Sequence, residues 1–261
     1  MTAPNHSPNR NSPLREILIF TTILCIAFFL AGLILGKTLG ASARDEQLQL
    51  APSAVTPSPA VQAPADLPPI PDAENLWRLR LVNRDHPLPE GYAPPQLTQL
   101  RNGQAVDSRA YPDLQRMMDA ARSAGLEPLI CSSYRSHEKQ RELFENKKER
   151  LYNEGHPRES LHDLAAQWVA VPGTSEHETG LALDIVDMQY QLLDDAQAET
   201  PAQKWLMAHC WEYGFILRYP KDKLAVTGVG YEPWHYRYVG LEAAREMTES
   251  GLCLEEYLGE K

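Results

Sequence analysis

Two short segments hold histidines and carboxylates at spacings that suit a metal-dependent hydrolase. In the first, SEHETGLALDI at 175–185, His177 and Asp184 lie seven residues apart. On a helix this spacing is about 10 Å of rise, too far for both side chains to bind one ion. Gly180 permits a turn after His177, and a following strand can then return Asp184 towards it. A shared metal ion therefore requires a turn and a strand here.

The second segment is Glu232-Pro233-Trp234-His235. Pro233 excludes a helix interior, so Glu232 and His235 are predicted on a loop or at a strand entrance. Two histidines and one carboxylate are the ligands of a catalytic zinc ion, with the fourth position left for water. Glu232 would then accept the proton of that water. From spacing alone a His-x6-Asp pair is more typical of a structural role. Five other histidines are competing ligands, namely His86, His137, His156, His162 and His209.

The segments around these residues mix helical and strand patterns. Apolar residues recur at helical spacing within Asp113–Ala124, and Gly125 follows as a C-cap. Ser136 is a predicted N-cap for a helix over His137–Lys147. Strands and helices alternate without a strict βαβ rhythm, which indicates an α+β fold. The remaining predictions are a helix over Ala202–Tyr213, ended by Gly214, and strands over Pro128–Cys131, Ala182–Ile185 and Tyr236–Val239.

The composition excludes several classes of protein. The 261 residues include 25 basic and 35 acidic side chains, a net charge of −10, whereas a nucleic-acid-binding protein would show a basic stripe. Four cysteines are too few for a disulfide-rich scaffold. Hydrophobic residues make up 43% of the chain, which is typical of globular proteins and sufficient for one large core or two small domains.

Residues 17–36 are predicted to form a transmembrane anchor. Ile17–Leu35 contains nineteen residues without a charge. At about 1.5 Å per residue this run spans roughly 28 Å, close to the hydrocarbon thickness of a bilayer. A buried core helix of this length would normally carry a polar face. A cleaved signal peptide is the main alternative, since Ala41-Ser42-Ala43 resembles a cleavage site, but the apolar run exceeds the usual h-region of about 7–15 residues.

The flanking regions complete the predicted organisation. Residues 1–16 form a short polar tail. The Lys and Arg residues on the two sides of the span are balanced, so their charge does not set its orientation. The shortness of the tail favours a cytoplasmic position for it. Residues 37–74 form a predicted disordered linker, with seven of the 21 prolines between Pro52 and Pro71. Residues 75–261 then form the folded domain, of ordinary size for a single unit.

Five segments of this domain resemble the VanY type of D-alanyl-D-alanine carboxypeptidases. SEHETGLALDI is similar to that family's zinc motif SxHxxGxAxD, and EPWHYRYVG is similar to its second zinc motif. CSSYRSHEKQ resembles the substrate-binding segment, although the family usually has SGYRS where this chain has CSSYRS. The other two are RLVNRDHPLPEGY and YGFILRYP, and the resemblance extends over about Leu76 to Leu258. It implies a single α+β zinc peptidase domain with a small antiparallel sheet flanked by helices.

The resemblance also assigns roles to individual residues. It implies that Zn²⁺ is bound by His177, Asp184 and His235, with Glu232 as the general base. Arg135 matches the arginine that holds the terminal carboxylate of the substrate, and a planar guanidinium suits this task because it grips a carboxylate with two hydrogen bonds. The alternative for Arg135 is a surface salt bridge.

Other residues near the motifs receive weaker assignments. Gln140 and Ser175 match positions that line the substrate pocket. Glu176 and Glu178 flank a ligand at positions that vary in the family, so they are predicted to be solvated or to lie behind the ligands. Trp234 is expected to pack and fix its loop, with stacking against the substrate as the alternative.

The implied function is hydrolysis of the terminal D-Ala–D-Ala bond of peptidoglycan stem pentapeptides. An L,D-carboxypeptidase acting on tetrapeptides is the nearest alternative, followed by a D,D-dipeptidase and by a non-catalytic zinc-containing module that binds the cell wall. A serine-type enzyme is disfavoured because the sequence does not contain the combined set of an S-x-x-K motif and a K-T-G motif. The expected location is the bacterial cell membrane, with one span, a catalytic domain outside the cytoplasm, and a monomeric state.

The cysteines offer one candidate disulfide. Cys25 lies in the predicted span, and Cys131 lies in a predicted buried strand as a small apolar residue. Cys210 and Cys253 are then left as a pair that the sequence permits either to be bonded or to remain free.

Overall fold

The computed structural model of the protein describes residues 76–260, in which two antiparallel β-sheets are surrounded by helices. The strands are β1 (Leu97–Gln99), β2 (Ala105–Asp107), β3 (Pro128–Ser132), β4 (Ala182–Asp187), β5 (Phe215–Leu217) and β6 (His235–Tyr238). Strands β1 and β2 form a hairpin-like pair, and the larger sheet has the order β3-β4-β6-β5. All of these pairings are antiparallel, so the predicted α+β fold with a small antiparallel sheet is confirmed for this region.

The described residues contain seven α-helices, and the sequence predicts three of them with shifted ends. They are α1 (Tyr111–Ser123), α2 (His137–Asn153), α3 (Leu161–Ala165), α4 (Pro201–His209), α5 (Leu224–Thr227), α6 (Leu241–Ser250) and α7 (Leu254–Tyr257). Helix α2 begins after Ser136 as predicted, and the Ser136 hydroxyl accepts a hydrogen bond from the backbone N–H of Lys139. It extends beyond Lys147 because Leu151 is buried in the same small apolar cluster as Phe144. The helix predicted up to Tyr213 changes after α4 into a short 3₁₀ segment that Gly214 ends with a φ of 80°.

The main core lies where α1 packs near the central strand β4. All six residues of β4 are buried, as expected for a strand that is covered on both faces. Successive side chains of a strand point to opposite faces, so Leu183 and Ile185 share one face while Asp184 lies on the other. Leu183 and Ile185 belong to the same core cluster as Leu114 and Met117 of α1. Strand β4 therefore contributes core packing on one face and a carboxylate on the other.

The C-terminal helices enclose a second cluster. Val239, which follows β6, packs with Met247 of α6 and Leu254 of α7. Leu79, near the start of the described residues, belongs to the same cluster. This arrangement secures the end of β6, the strand that begins with His235.

The predicted tail (1–16), anchor (17–36) and linker (37–74) lie outside the described residues, and the predicted domain 75–261 is described except for its first and last residues. Within residues 76–260, none of the helices is both long and apolar enough to cross a bilayer.

The cysteines of the described region are free thiols. Cys210 and Cys253 do not form the disulfide that the sequence permits. Cys210 is part of the main core cluster, whereas Cys253 is the N-cap of α7. The prediction of a buried Cys131 is wrong, because this residue is exposed and its thiol donates to the carbonyl of Asp184 at 3.4 Å.

Candidate metal centre and active site

His177, Asp184 and His235 meet at one buried point. The Nε2 atom of His177 lies 3.3 Å from Oδ2 of Asp184, and the Nδ1 atom of His235 lies 3.1 Å from Oδ1 of the same carboxylate. One ligand atom from each residue lies within 4.8 Å of the other two, the only such group of three or more His, Cys, Asp or Glu residues in the described part of the chain. The predicted ligands are therefore brought together.

Strand pairing and a glycine turn produce this geometry. Asp184 of β4 stands opposite His235 of β6 in the antiparallel register. His177 sits in the 3₁₀ segment Glu176–Thr179, which ends at Gly180 with a φ of 72°. A Cβ atom on Gly180 would lie 3.0 Å from the backbone nitrogen of Asp107, so a larger residue would be strained in conformation and also crowded. The turn predicted after His177 is confirmed.

The donor set fits a zinc ion. The carbonyl of Ser133 accepts a hydrogen bond from Nδ1 of His177 at 2.8 Å, so Nε2 of His177 is left to face the site. His235 is oriented the opposite way: its Nδ1 faces Asp184, and its Nε2 lies 3.4 Å from Oε2 of Glu176. Two imidazole nitrogens and a carboxylate oxygen are the usual ligands of a catalytic zinc centre with one open position.

Burial and neighbouring charges shift the pKa values of His177, Asp184 and His235. Burial alone would lower the pKa of His235, but hydrogen bonds to the carboxylates of Asp184 and Glu176 raise it to about 9. Burial opposes ionisation of Asp184 as well, yet the neighbouring His177 and His235 hold its pKa well below the usual range. The pKa of His177 is lowered by burial. In the metal-free centre, His235 is therefore protonated at neutral pH.

Glu232 lies beside the ligands and has the properties of a general base. Its Oε2 is 3.6 Å from Nδ1 of His235, and its side chain is 30% exposed. Burial raises the pKa of the Glu232 carboxyl to about 7, with His235 opposing and Asp184 reinforcing this shift. A carboxylate with a pKa near neutrality can both accept and return a proton.

Arg135 supplies a cation at the same place. Its backbone N–H donates to the carbonyl of His177 at 3.1 Å, which ties it to the metal-binding segment. Burial lowers the pKa of Arg135, and the charges of Asp184, Glu232 and Glu178 oppose that shift. Within residues 76–260, the buried Nε atom of Arg135 has no hydrogen-bond partner. The guanidinium of Arg135 therefore has an unused hydrogen-bond donor. Arg135 does not form the surface salt bridge that the sequence leaves as an alternative, within the part of the chain that the structure describes.

Gln140, Ser175 and Trp234 occupy different environments. Gln140 is fully buried in α2, its amide donates to the carbonyl of Ala170 at 2.7 Å, and its Oε1 has no partner among the described residues. Ser175 is buried directly before the 3₁₀ segment. The carbonyl of Trp234 accepts the backbone N–H of Ile185, which fixes the loop against β4. The pocket-lining roles of Gln140 and Ser175 remain predictions.

Glu176 and Glu178 are buried, so the prediction that they are solvated is wrong and the alternative that they lie behind the ligands holds. Oε1 of Glu178 accepts the backbone N–H of Gly173 at 2.8 Å, and its Oε2 pairs with Nδ1 of His137 at 2.9 Å. This pairing also removes His137 as a competing metal ligand. The other competing histidines, His86, His156, His162 and His209, do not join the cluster.

Glu176 belongs to a buried charge network that the sequence interpretation missed. Its Oε1 accepts from Nε of Arg218 at 2.7 Å and from Nη1 of Arg237 at 2.8 Å. Burial would raise the pKa of Glu176, but the two guanidinium groups hold it well below the usual range. A sequence signal did exist, because Arg218 and Arg237 interrupt the apolar and aromatic stretches FILRYP and HYRYV, where an arginine needs a buried partner.

Comparisons with known proteins show which family this chain is similar to. Residues 103–241 match the family described as VanY, D-alanyl-D-alanine carboxypeptidase. A D-alanyl-D-alanine carboxypeptidase of Enterococcus faecalis is 46% identical over 186 residues, which cover 71% of this chain and 67% of that protein.

Two solved structures extend the comparison. A mutant of the vancomycin resistance D,D-pentapeptidase VanY from a VanB-type cassette, in complex with Zn(II), is 46% identical and has a TM-score of 0.62 over 70% of this chain and 99% of that one. The LD-carboxypeptidase LdcB, whose structure addresses peptidoglycan recognition, is 36% identical with a TM-score of 0.61 over 69% of this chain and 84% of that one.

The protonation of His235 in the metal-free protein predicts how the zinc affinity varies with pH. Metal binding requires a neutral imidazole, so the proton on Nδ1 of His235 must leave when zinc binds. Because the pKa of His235 is about 9 in the metal-free protein, zinc affinity should fall about tenfold for each pH unit below that value. Calorimetric titration of the full-length chain in buffers of different ionisation enthalpy would measure the released proton. Equal affinities at pH 7 and pH 9 would contradict this assignment.

Proposed function

This chain belongs to the VanY family of D-alanyl-D-alanine carboxypeptidases, and we propose that it removes the C-terminal D-alanine from the stem pentapeptides of peptidoglycan. The enzyme is a zinc-dependent carboxypeptidase. The observation that carries the proposal is the convergence of three potential metal ligands with Glu232 and with Arg135, whose buried Nε atom has no hydrogen-bond partner within residues 76–260.

The metal-binding residues prepare the site for amide hydrolysis. Zinc held by His177, Asp184 and His235 would lower the pKa of a water molecule towards about 7 and polarise the scissile carbonyl. Glu232 is placed to accept the proton of that water and to return it to the amine of the departing D-alanine. In the metal-free protein the pKa of Glu232 is about 7, which suits a group that must both accept and return a proton.

Arg135 provides the selectivity of an exopeptidase. An enzyme that removes only the last residue must recognise a free carboxylate, and a guanidinium does so with paired hydrogen bonds. The Nε atom of Arg135 is buried and unpartnered within residues 76–260, so a substrate carboxylate would satisfy it. The positive charge then fixes the distance from the peptide terminus to the bond that is cleaved.

The proposal is tested by the release of free D-alanine from separate pentapeptide and tetrapeptide stems. The full-length chain with zinc should release D-alanine from the pentapeptide, lose this activity with a chelator, and regain it when zinc is returned. Glu232→Gln should lower kcat by a factor of about 100 to 10,000, since it removes general-base catalysis while keeping all three metal ligands. Zinc content, measured on the same preparations, should equal that of the parent chain.

The outcomes separate the competing functions. Release from the tetrapeptide alone would favour an L,D-carboxypeptidase, a candidate supported by the similarity to LdcB. Failure to release D-alanine from either stem, with zinc bound, would favour a binding module without catalysis. Near-normal turnover by the zinc-bound Glu232→Gln variant would show that another group is the base.

Arg135 can be tested with a matched pair of substrates. Arg135→Gln should lower kcat/KM by about 100-fold for a pentapeptide with a free C-terminal carboxylate, because a charged hydrogen-bonded pair is lost. For the same peptide with a C-terminal amide, the substitution should cost little, since the amide offers no charge to lose. An equal loss on both substrates would mean that Arg135 supports the structure of the site and does not recognise the carboxylate.

We also propose that residues 17–36 anchor the enzyme in the bacterial cell membrane, with a monomeric catalytic domain outside the cytoplasm. The uncharged run Ile17–Leu35 and the location of peptidoglycan support this topology. Protease added to intact protoplasts should digest the catalytic domain. Without protease, the full-length chain should sediment with the membrane fraction. Recovery of a shortened chain in the medium would instead favour a cleaved signal peptide.

A further inference from the structure

The two histidine ligands are supported in different ways. Nδ1 of His177 donates to a backbone carbonyl, that of Ser133, which no side-chain substitution removes. The outer nitrogen of His235, Nε2, faces the carboxylate of Glu176 at 3.4 Å. The orientation of His235 therefore depends on a side chain.

Glu176 is itself held rigidly. Its Oε1 accepts from Nε of Arg218 at 2.7 Å and from Nη1 of Arg237 at 2.8 Å, and all three side chains are fully buried. The remaining oxygen, Oε2, is the one that faces His235. With one oxygen fixed by two guanidinium groups, the other has a defined position in which to accept the Nε2 proton of His235.

The two arginines connect Glu176 to distant parts of the domain. Nη1 and Nη2 of Arg218 donate to the two carboxylate oxygens of Glu255 in α7, at 2.8 and 2.7 Å. Nη2 of Arg237 donates to the carbonyls of Arg78 and Arg80, at 3.0 and 2.8 Å. Two buried carboxylates thus balance two buried guanidinium groups, which limits the cost of removing these charges from water.

We infer that Glu176 is a positioning residue of the metal centre, which keeps the Nε2 proton of His235 in place so that Nδ1 is offered to the metal ion. The inference rests on the proposed function only in taking His177, Asp184 and His235 as the zinc ligands. Partners of this kind fix the tautomer and ring orientation of a metal-binding histidine, and their loss typically costs 10- to 100-fold in metal affinity or activity.

Glu255 provides a matched control for Glu176. Both carboxylates are buried and pair with Arg218, but only Glu176 contacts His235. We expect Glu176→Gln to weaken zinc affinity 10- to 100-fold in a competition titration against a coloured chelator, and to lower kcat more than it raises KM. Glu255→Gln should lower thermal stability similarly while changing zinc affinity less than threefold. Equal changes in zinc affinity in the two variants, or none in either, would overturn the inference.

A measurement on the unaltered protein covers the case in which Glu176→Gln fails to fold. Long-range ¹H–¹⁵N spectra of the zinc-bound full-length chain should show opposite tautomers, with the proton on Nδ1 of His177 and on Nε2 of His235. A proton on Nδ1 of zinc-bound His235 would overturn the inference. Loss of D-alanine release by the parent chain would instead count against the proposed function, and would leave the zinc affinities and tautomers unaffected.

Discussion

The antiparallel pairing of β4 with β6 is the constraint on which the site depends. It places Asp184 directly opposite His235, so that one hydrogen-bonded register fixes two of the three metal-ligating residues. A slip of one residue would turn Asp184 into the core and bring Leu183 to the site, because side chains alternate along a strand. The same strand pair is clamped by the core on the Leu183 face, which makes the register energetically costly to change.

A second requirement is the compensation of buried charge. The site gathers carboxylates around two histidines, and a buried charge is tolerated only when it is paired and hydrogen-bonded. Arg218 and Arg237 meet this requirement behind the metal-binding residues, where Glu176 would otherwise be an isolated buried anion. Arg135 lies outside this balanced group, and its buried Nε atom has no hydrogen-bond partner within residues 76–260. Arg218 and Arg237 thus differ from Arg135, for which we propose a role in substrate recognition, because their charges are already paired inside the protein.

Local patterns predicted three of the seven helices and three of the six strands within residues 76–260, but not all of their ends. Residues with helical spacing gave α1, and Ser136 marked the start of α2, because capping and apolar periodicity act over a few neighbouring residues. The far end of α2 lies at Asn153, beyond the predicted Lys147, since contacts with Leu151 stabilise the additional turn. The free thiols of Cys210 and Cys253 also follow from tertiary placement, which sequence spacing does not specify.

The sequence by itself identified His177, Asp184 and His235 as candidate metal ligands, because the segments that contain them resemble the zinc motifs of the family, whereas spacing alone left other histidines in competition. It also identified Glu232 and Arg135 as the groups beside them. Only the tertiary structure decided the role of Glu176, whose partners Arg218 and Arg237 lie more than 40 residues away in sequence. The physical reason is that pairing of buried charges depends on which strands become neighbours, and that information is held by the whole fold.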